Sequence, residues 1–264
     1  HIQELEAAYQ TRLFDRQGSR ISLTESGNLL LEHCERILED YKRLEYEMHL
    51  LHNEYTGGLK LGASTTIAQY VLPPLLASFI GKFPQVSLSL LNGNSREIEA
   101  ALQEHRIDLG FVEGVFRLPN IRYTTFLEDE LVAVVRTGSK LAVGEEITPD
   151  ELFHLPLVLR ERGSGTLDVF ERALQQHNIK LSSLQVLMYL GSTESIKLFL
   201  EHTDCLGIVS VRSITRELYS GQLRVVEIKG MPMLRDFSFA QPQGQESGLA
   251  QVFMQFAMHN NHKL

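Results

Sequence analysis

Three stretches of small and hydroxyl-bearing residues stand where a predicted strand passes into a predicted helix. They are residues 62–66 (Gly-Ala-Ser-Thr-Thr), 163–166 (Gly-Ser-Gly-Thr) and 191–193 (Gly-Ser-Thr), here called the first, second and third junctions. Each offers backbone N–H groups, hydroxyl donors and the positive end of a helix dipole, an environment in which anions bind. If the carboxyl ends of the strands face one crevice, the junctions together can hold a small carboxylate, sulfate or phosphate. Each stretch is equally suited to cap an ordinary helix, and that alternative stays open.

Charged residues lie close to these junctions. Arg160 and Arg162 flank Glu161 just before the second junction. An arginine there can pair with an anionic ligand, but we expect a solvated charge at the end of a strand. Glu113 follows another predicted strand, where it either binds a ligand amine or hydroxyl or faces water. Glu194 lies in a first helical turn, where its charge suits the helix dipole without a ligand.

Motifs of catalysis and metal binding are missing from the sequence. It contains no Gly-x-Ser-x-Gly elbow, His-Glu-x-x-His pair, P-loop or Gly-x-Gly-x-x-Gly turn, and its ten histidines are scattered. The two cysteines, Cys34 and Cys205, are far apart and form no Cys-x-x-Cys pair. We therefore expect no catalytic residue, no metal and no cofactor, and the unpaired cysteines favour a reduced, cytoplasmic protein.

Charge and hydropathy limit the possible partners. The net charge of −8 opposes nucleic-acid binding by the chain as a whole, so any DNA contact must come from a small local region. No run of about 18 apolar residues occurs, which argues against a membrane as a partner.

Strands and helices alternate along most of the chain. This order is typical of parallel sheets covered by helices, and it occurs twice, so we predict an α/β fold with two lobes. Chain crossings between the lobes are expected near residues 136–138 and 229–234, where a hinge would let the lobes close on a ligand. The predicted strands are residues 59–62, 86–90, 107–112, 131–135, 157–159, 186–189, 207–209 and a last one at 237–240, and residues 223–228 alternate less cleanly. The predicted helices are residues 64–82, 96–105, 167–176, 193–202 and a final one around 249–256.

A long helix precedes the two lobes. Thr24 is a suitable N-cap, and no proline follows before residue 55. Apolar residues spaced alternately by four and three form a heptad seam, which is typical of a coiled coil. The alternative, a long helix packed on its own domain, stays open. The residues expected to mediate dimerisation are Ile37, Tyr41, Leu44, Met48 and Leu51.

The first residues form a small basic head. Residues 1–13 predict an amphipathic helix, residues 17–19 a turn and residues 20–23 a short strand, so a winged helix-turn-helix arrangement is plausible. Arg16 and Arg20 bracket the hairpin, where a wing would touch DNA phosphates or enter the minor groove. Nearby acidic residues balance these arginines, so charge alone makes only a weak case for DNA binding.

Three stretches resemble the LysR family of transcription regulators. Residues 1–6 resemble the end of the family's recognition helix, residues 12–16 its wing, and residues 23–27 the start of its linker helix. Residues 59–62, 83–84, 107–110, 162–166 and 207–209 agree with the same family. Family members carry two further helices before this point, so we expect the chain as printed to lack specific operator binding.

The resemblance implies a periplasmic-binding-protein-like sensor behind a linker helix and a partial winged helix-turn-helix domain. Residues 1–23 would be the partial DNA-binding domain, 24–57 the linker, and 58–264 the effector-binding domain. Lobe 1 would take about 58–136 and 235–264, and lobe 2 about 137–234. It also implies a cytoplasmic homodimer, usually paired into a homotetramer, that binds DNA and a small-molecule effector. The implied effector contacts are Ser64, Thr65, Thr66, Glu161, Gly163, Ser164, Ser192 and Thr193.

Two other classes of protein share a two-lobed fold: solute-binding proteins of transport systems and bilobal enzymes. The heptad helix and the absence of a signal peptide argue against a solute-binding protein. The absence of a catalytic motif leaves nothing that proposes an enzyme.

Overall fold

The computed structural model describes residues 1–17, 20–52, 55–114, 117–141, 144–244 and 248–261. Within these ranges, the side chains of residues 16, 17, 20, 35, 39, 42, 43, 45–47 and 49–52 are not described. Contacts between residues divide the chain into two compact units, His1–Glu54 and Tyr55–Leu264.

The first unit contains a short helix, a hairpin and a long helix. Helix α1 (Ile2–Tyr9) precedes strands β1 (Phe14–Gln17) and β2 (Arg20–Leu23), which pair antiparallel, and α2 (Glu25–His52) follows. This order matches the predicted partial winged domain. The predicted turn at residues 17–19 falls mostly on residues 18 and 19, which lie outside the described residues.

The start of α2 is tied to the hairpin. Thr24 Oγ1 accepts a hydrogen bond from the Gly27 N–H at 3.0 Å and donates to the Arg12 carbonyl at 2.7 Å, which confirms Thr24 as the N-cap. A Cβ at Gly27 would lie 2.1 Å from the Leu13 carbonyl oxygen, so only glycine lets the helix approach this closely.

The predicted heptad seam of α2 is exposed. Ile37, Tyr41, Leu44 and Met48 are 66%, 57%, 56% and 49% exposed, respectively. The side chain of Leu51 lies outside the described residues. None of these four side chains is buried within the chain.

In the second unit, the described strands form one ten-stranded sheet. Its strands are β3 (Gly57–Ser64), β4 (Val86–Gly93), β5 (Leu109–Glu113), β6 (Ile121–Arg136), β7 (Glu146–Ile147), β8 (Leu157–Arg160), β9 (Val186–Leu190), β10 (Leu206–Ser210), β11 (Leu223–Ile228) and β12 (Met233–Pro242). The α-helices described in the second unit are α3 (Thr65–Tyr70), α4 (Leu72–Lys82), α5 (Ser95–Gln103), α6 (Gly165–Gln176), α7 (Thr193–His202), α8 (Thr215–Tyr219) and α9 (Gly248–Asn260).

The strand order shows two lobes joined by two crossing strands. Neighbouring strands follow the order β4-β3-β5-β12-β6-β10-β8-β9. Strands β4, β3 and β5 are parallel and form lobe 1, whereas β10, β8 and β9 are parallel and form lobe 2. Between them β12 and β6 run antiparallel to each other. The predicted two-lobed α/β fold is therefore confirmed.

The first crossing comes earlier in the chain than expected. The end of β6 pairs with β10, and Leu131, Ala133 and Val135 pack into the core of lobe 2. The chain has therefore changed lobes before Leu131, whereas the sequence suggested residues 136–138. The return crossing lies within β12, next to the expected residues 229–234.

One predicted helix, residues 64–82, is two helices in the structure. Pro73 and Pro74 lie in the first turn of α4. Proline has no backbone N–H to continue the hydrogen bonds of a preceding helix, but it fits a first turn, where that N–H has no partner. The two prolines therefore separate α3, which ends at Tyr70, from α4, which begins at Leu72.

Lobe 1 is closed by the C-terminal helix, as predicted. Phe253 and Phe256 of α9 pack against Phe79 of α4, with ring centroids 4.8 and 5.2 Å apart. No helix in the described part of the chain is long and apolar enough to span a membrane.

Candidate functional site

The first junction is buried at the carboxyl end of β3. Ser64, Thr65 and Thr66 are all at most 5% exposed. Ser64 precedes α3 but makes no side-chain capping bond, and its Oγ has no hydrogen-bond partner among the described residues. Thr65 Oγ1 donates to the Gly93 carbonyl at 3.2 Å. An unpaired buried hydroxyl costs free energy, so a ligand that binds Ser64 would be stabilising.

Arg160 connects the first and third junctions across the two lobes. Its side chain is 1% exposed, so the expected solvated charge at a strand end is wrong. Its guanidinium donates to Thr65 Oγ1 of lobe 1 and to Thr193 Oγ1 and the Gly191 carbonyl of lobe 2, each at 3.4 Å. These bonds are long and therefore weak, which leaves donor capacity for a better acceptor.

Glu161 neutralises this buried arginine. Its carboxylate accepts from Arg160 Nε at 2.8 Å and from Nη2 at 3.0 Å, a bidentate arrangement. The Glu161 side chain is 26% exposed, so it can turn into water. Glu161 is a partner of Arg160, in a position to compete with an anion for the guanidinium.

The second junction packs against lobe 1. Ser164 Oγ caps α6 by accepting from the Leu167 N–H at 3.2 Å. The Gly163 carbonyl accepts from the Arg96 N–H at 3.3 Å, with Gly163 at a φ of +93°. A Cβ at Gly165 would lie 2.3 Å from the Glu113 carbonyl oxygen. These contacts make the second junction a helix cap and a contact between lobes, and they do not bring Ser164 to Arg160.

The third junction divides its residues between two roles. Ser192 Oγ caps α7 by accepting from the Ser195 N–H at 3.1 Å. Thr193 is buried and accepts from Arg160, as described above. Of the predicted effector contacts, the structure therefore groups Thr65, Thr193 and Glu161 around Arg160, with Ser64 and Thr66 next to Thr65 in the chain.

Tyr70 and Lys197 also bridge the lobes, and sequence reasoning missed both. Tyr70 of α3 donates its hydroxyl to Glu194 of α7, and Lys197 Nζ lies 2.7 Å from Glu194 Oε1 and 5.3 Å from the centroid of the Tyr70 ring. Burial and the Glu194 carboxylate raise the pKa of Tyr70. Burial alone would raise the pKa of Glu194, but the hydrogen bonds from Lys197 and Tyr70 lower it. The expectation that the Glu194 charge needs no ligand is compatible with these partners.

The described residues contain no group of three or more His, Cys, Asp or Glu side chains that could hold a metal ion. The donors at this site are the guanidinium of Arg160 and the hydroxyls of the first and third junctions, which suit an anion.

Comparison with known proteins agrees with this architecture. The family described as the LysR substrate binding domain matches residues 52–261. The chain belongs to the LysR family of transcriptional regulators. LysR-type regulators bind DNA and small-molecule effectors and act as oligomers.

Individual relatives cover most of this LysR-type chain. The HTH-type transcriptional regulator YeiE of Escherichia coli is 34% identical over 227 residues, which is 86% of this chain and 75% of YeiE. The regulatory domain of CcmR from Synechocystis, solved in complex with 2-PG, is 28% identical, with a TM-score of 0.70 over 77% of this chain and 97% of that domain. A full-length OxyR variant from Pseudomonas aeruginosa shares the fold, with 16% identity and a TM-score of 0.65 over 97% of this chain and 88% of its own. The relatives are regulators, in agreement with the expectation that this chain is not an enzyme.

Proposed function

We propose that this LysR-type regulator senses a small anionic metabolite held between its two lobes. The observation that carries the proposal is Arg160, a buried guanidinium that donates weak hydrogen bonds to both lobes. Beside it the first junction offers Ser64, whose hydroxyl lacks a partner among the described residues. A buried cation surrounded by hydroxyls is chemically suited to a carboxylate, sulfate or phosphate.

Binding would exchange one partner of Arg160 for another. The incoming anion would accept from Arg160 and from the hydroxyls of Ser64, Thr65, Thr66 and Thr193. Glu161, which is partly exposed, would turn toward water. Ser164, Gly163 and Ser192 would support the site by fixing α6 and α7 and the contact between the lobes.

In this proposal, DNA binding and dimerisation belong to the residues that precede the sensor. Residues 1–23 are the partial DNA-binding domain, 24–57 the linker and 58–264 the sensor, with Arg16 and Arg20 of the hairpin contacting phosphates. The exposed seam of α2 pairs two chains into a homodimer, and sensor domains pair dimers into a tetramer. The regulator acts in the cytoplasm, where bacterial DNA lies.

The test is isothermal titration calorimetry of the full chain with sulfate, phosphate, small carboxylates and 2-PG, the ligand of the CcmR domain. Arg160→Met should weaken binding of the anion that binds best by about tenfold or more, because a hydrogen bond to a charged group contributes roughly 1.5–3 kcal/mol. Glu161→Gln should strengthen it, because the competing carboxylate charge is gone.

Arg162→Met is the matched control, since Arg162 is exposed and two positions away. It should leave the affinity unchanged. Equal affinities for wild type and Arg160→Met would refute the proposed site.

A further inference from the structure

A buried ion pair lies where the two strands cross between the lobes. Arg235 of β12 and Asp129 of β6 are cross-strand partners, and both side chains are 0% exposed. Arg235 Nε and Nη2 each lie 2.7 Å from Asp129 Oδ2. Charges withdrawn so completely from water are tolerated only when they are paired. The centre of the crossing is therefore a buried ion pair, and the partly exposed Arg212 lies at its edge, with Nε 3.6 Å from Asp129 Oδ1.

Lobe 1 contributes a third charge to this pair. Glu113 ends β5, its side chain is 1% exposed, and its Oε2 lies 3.2 Å from Arg235 Nη2. Its backbone is held by Ser95, whose Oγ donates to the Glu113 carbonyl at 2.9 Å. Its other carboxylate oxygen, Oε1, accepts from Thr66 Oγ1 at 3.4 Å. One carboxylate thus joins a hydroxyl of the proposed anion site to the arginine of the crossing strands.

Lobe 2 is held by the same pair. Arg235 Nη1 donates to Thr166 Oγ1 at 3.1 Å, in the first turn of α6. Asp129 Oδ1 accepts from Ser210 Oγ at 2.7 Å, at the end of β10. Arg235 and Asp129 therefore contact both lobes at the point around which those lobes would turn. A cavity of about 460 Å³ is lined by both residues.

We infer that Glu113 is a positioning residue that couples occupancy of the anion site to the angle between the lobes. The inference rests on the proposed function, because the coupling starts at Thr66. A hydroxyl has one hydrogen to donate, so an anion that accepts from Thr66 removes the hydrogen bond to Glu113 Oε1. Glu113 then turns both oxygens toward Arg235, and the contact of Arg235 with Thr166 of lobe 2 changes. The anion thereby favours one lobe angle over another, as a regulatory ligand must.

The test measures the distance between the lobes by electron paramagnetic resonance. Spin labels are placed at Gln103→Cys of lobe 1 and Gln176→Cys of lobe 2, which are both exposed. The background carries Cys34→Ser, because Cys34 is exposed and Cys205 is buried. Labelled full-length chains are mixed with excess unlabelled chains so that only distances within one chain are recorded.

Glu113→Gln is the informative variant, because it removes the charge that faces Arg235 and still accepts from Thr66. Glu130→Gln is the matched control, on an exposed glutamate of β6. Without a ligand, Glu113→Gln should shift or broaden the distance distribution, and Glu130→Gln should not. With sulfate or phosphate, the wild-type distribution should shift. Glu113→Gln should bind with an affinity within about threefold of wild type and fail to show that shift.

The possible failures are distinguishable. Identical distributions for wild type and Glu113→Gln, with and without the anion, would overturn the inference. If wild type binds neither sulfate nor phosphate, the proposed function fails for these two anions. The comparison of wild type with Glu113→Gln without a ligand still decides whether Glu113 sets the lobe angle. If Glu113→Gln does not fold, Glu113→Asp gives the same comparison, because it keeps the charge but withdraws it from Arg235.

Discussion

Arg160 ends a strand, and its neighbours in the sequence do not reveal that it is buried. The acceptors that explain its burial, Thr65, Gly191 and Thr193, lie 95, 31 and 33 positions away. Local patterns identify residues that follow strands, which is why the hydroxyl-bearing junctions were predictable. They do not show which distant residues converge, so neither the buried arginine between the first and third junctions nor the packing of the second junction against lobe 1 was predictable.

Gly165 tests the close contact between the lobes at the residue level. Gly165→Ala is expected to lower the free energy of unfolding of the sensor by about 1–3 kcal/mol, the usual cost of overpacking. The new Cβ would meet the Glu113 carbonyl oxygen at 2.3 Å and its Cγ at 2.5 Å, so the backbones of the two lobes must separate. Chemical denaturation followed by circular dichroism gives the comparison.

Gly81→Ala is the control for this change. A Cβ at Gly81 meets no atom within 4 Å, and alanine is favoured over glycine inside a helix. This control should be as stable as wild type or slightly more stable. A Gly165→Ala protein with wild-type stability would show that the lobes do not need this close approach.

At the level of elements, strands with a plain apolar pattern were predictable and the crossing strand was not. The sequence indicated only residues 131–135 of β6, whereas the strand is Ile121–Arg136. Its first part carries exposed charges such as Glu128 and Glu130 beside the buried Asp129. Asp129 is stable there because Arg235 pairs with it from 106 positions away. A long-range ion pair of this kind leaves no local periodicity.

The exposed seam of α2 gives a prediction at the same level. Leu44→Asp is expected to weaken the proposed dimer at least tenfold, because it places a charge in an apolar seam. Sedimentation equilibrium across a dilution series measures the dissociation constant. Leu29→Asp is the matched control, since Leu29 is a 58% exposed leucine of α2 outside the seam. If both variants dimerise as wild type does, the seam is not the dimer contact.

At the level of the whole molecule, several of the contacts between the lobes and the crossing strands are polar. Tyr70 with Glu194, Arg160 with Thr65, and Arg235 with Glu113 each join lobe 1 or a crossing strand to a neighbouring part of the sensor. A polar contact that is partly exposed, such as Tyr70 with Glu194, contributes little net free energy, because it replaces bonds to solvent. A lobe angle held in part by such contacts can be shifted by a ligand that binds one angle more tightly than another.

The contact between Tyr70 and Glu194 makes the stability of the sensor depend on pH. The pKa of Glu194 lies below its ordinary value of 4.5, since Lys197 and Tyr70 outweigh the effect of burial. A carboxylate with a lowered pKa stabilises the fold above that ordinary value, and its contribution is lost as the pH falls through the lowered value. Glu194→Gln should therefore reduce stability at neutral pH and match wild type once the pH falls below the lowered pKa of Glu194.

The size of this effect is limited by solvent. The Glu194 side chain is 47% exposed, so we expect a loss of about 1 kcal/mol or less at neutral pH. Thermal unfolding of wild type and variant between neutral and acid pH measures the difference. Glu201→Gln, also on α7 but outside the contact between Tyr70 and Glu194, serves as the control and should show no such pH dependence. A constant difference between Glu194→Gln and wild type at every pH would mean that the ionised carboxylate does not hold the lobes together, and that the contact with Tyr70 acts through packing alone.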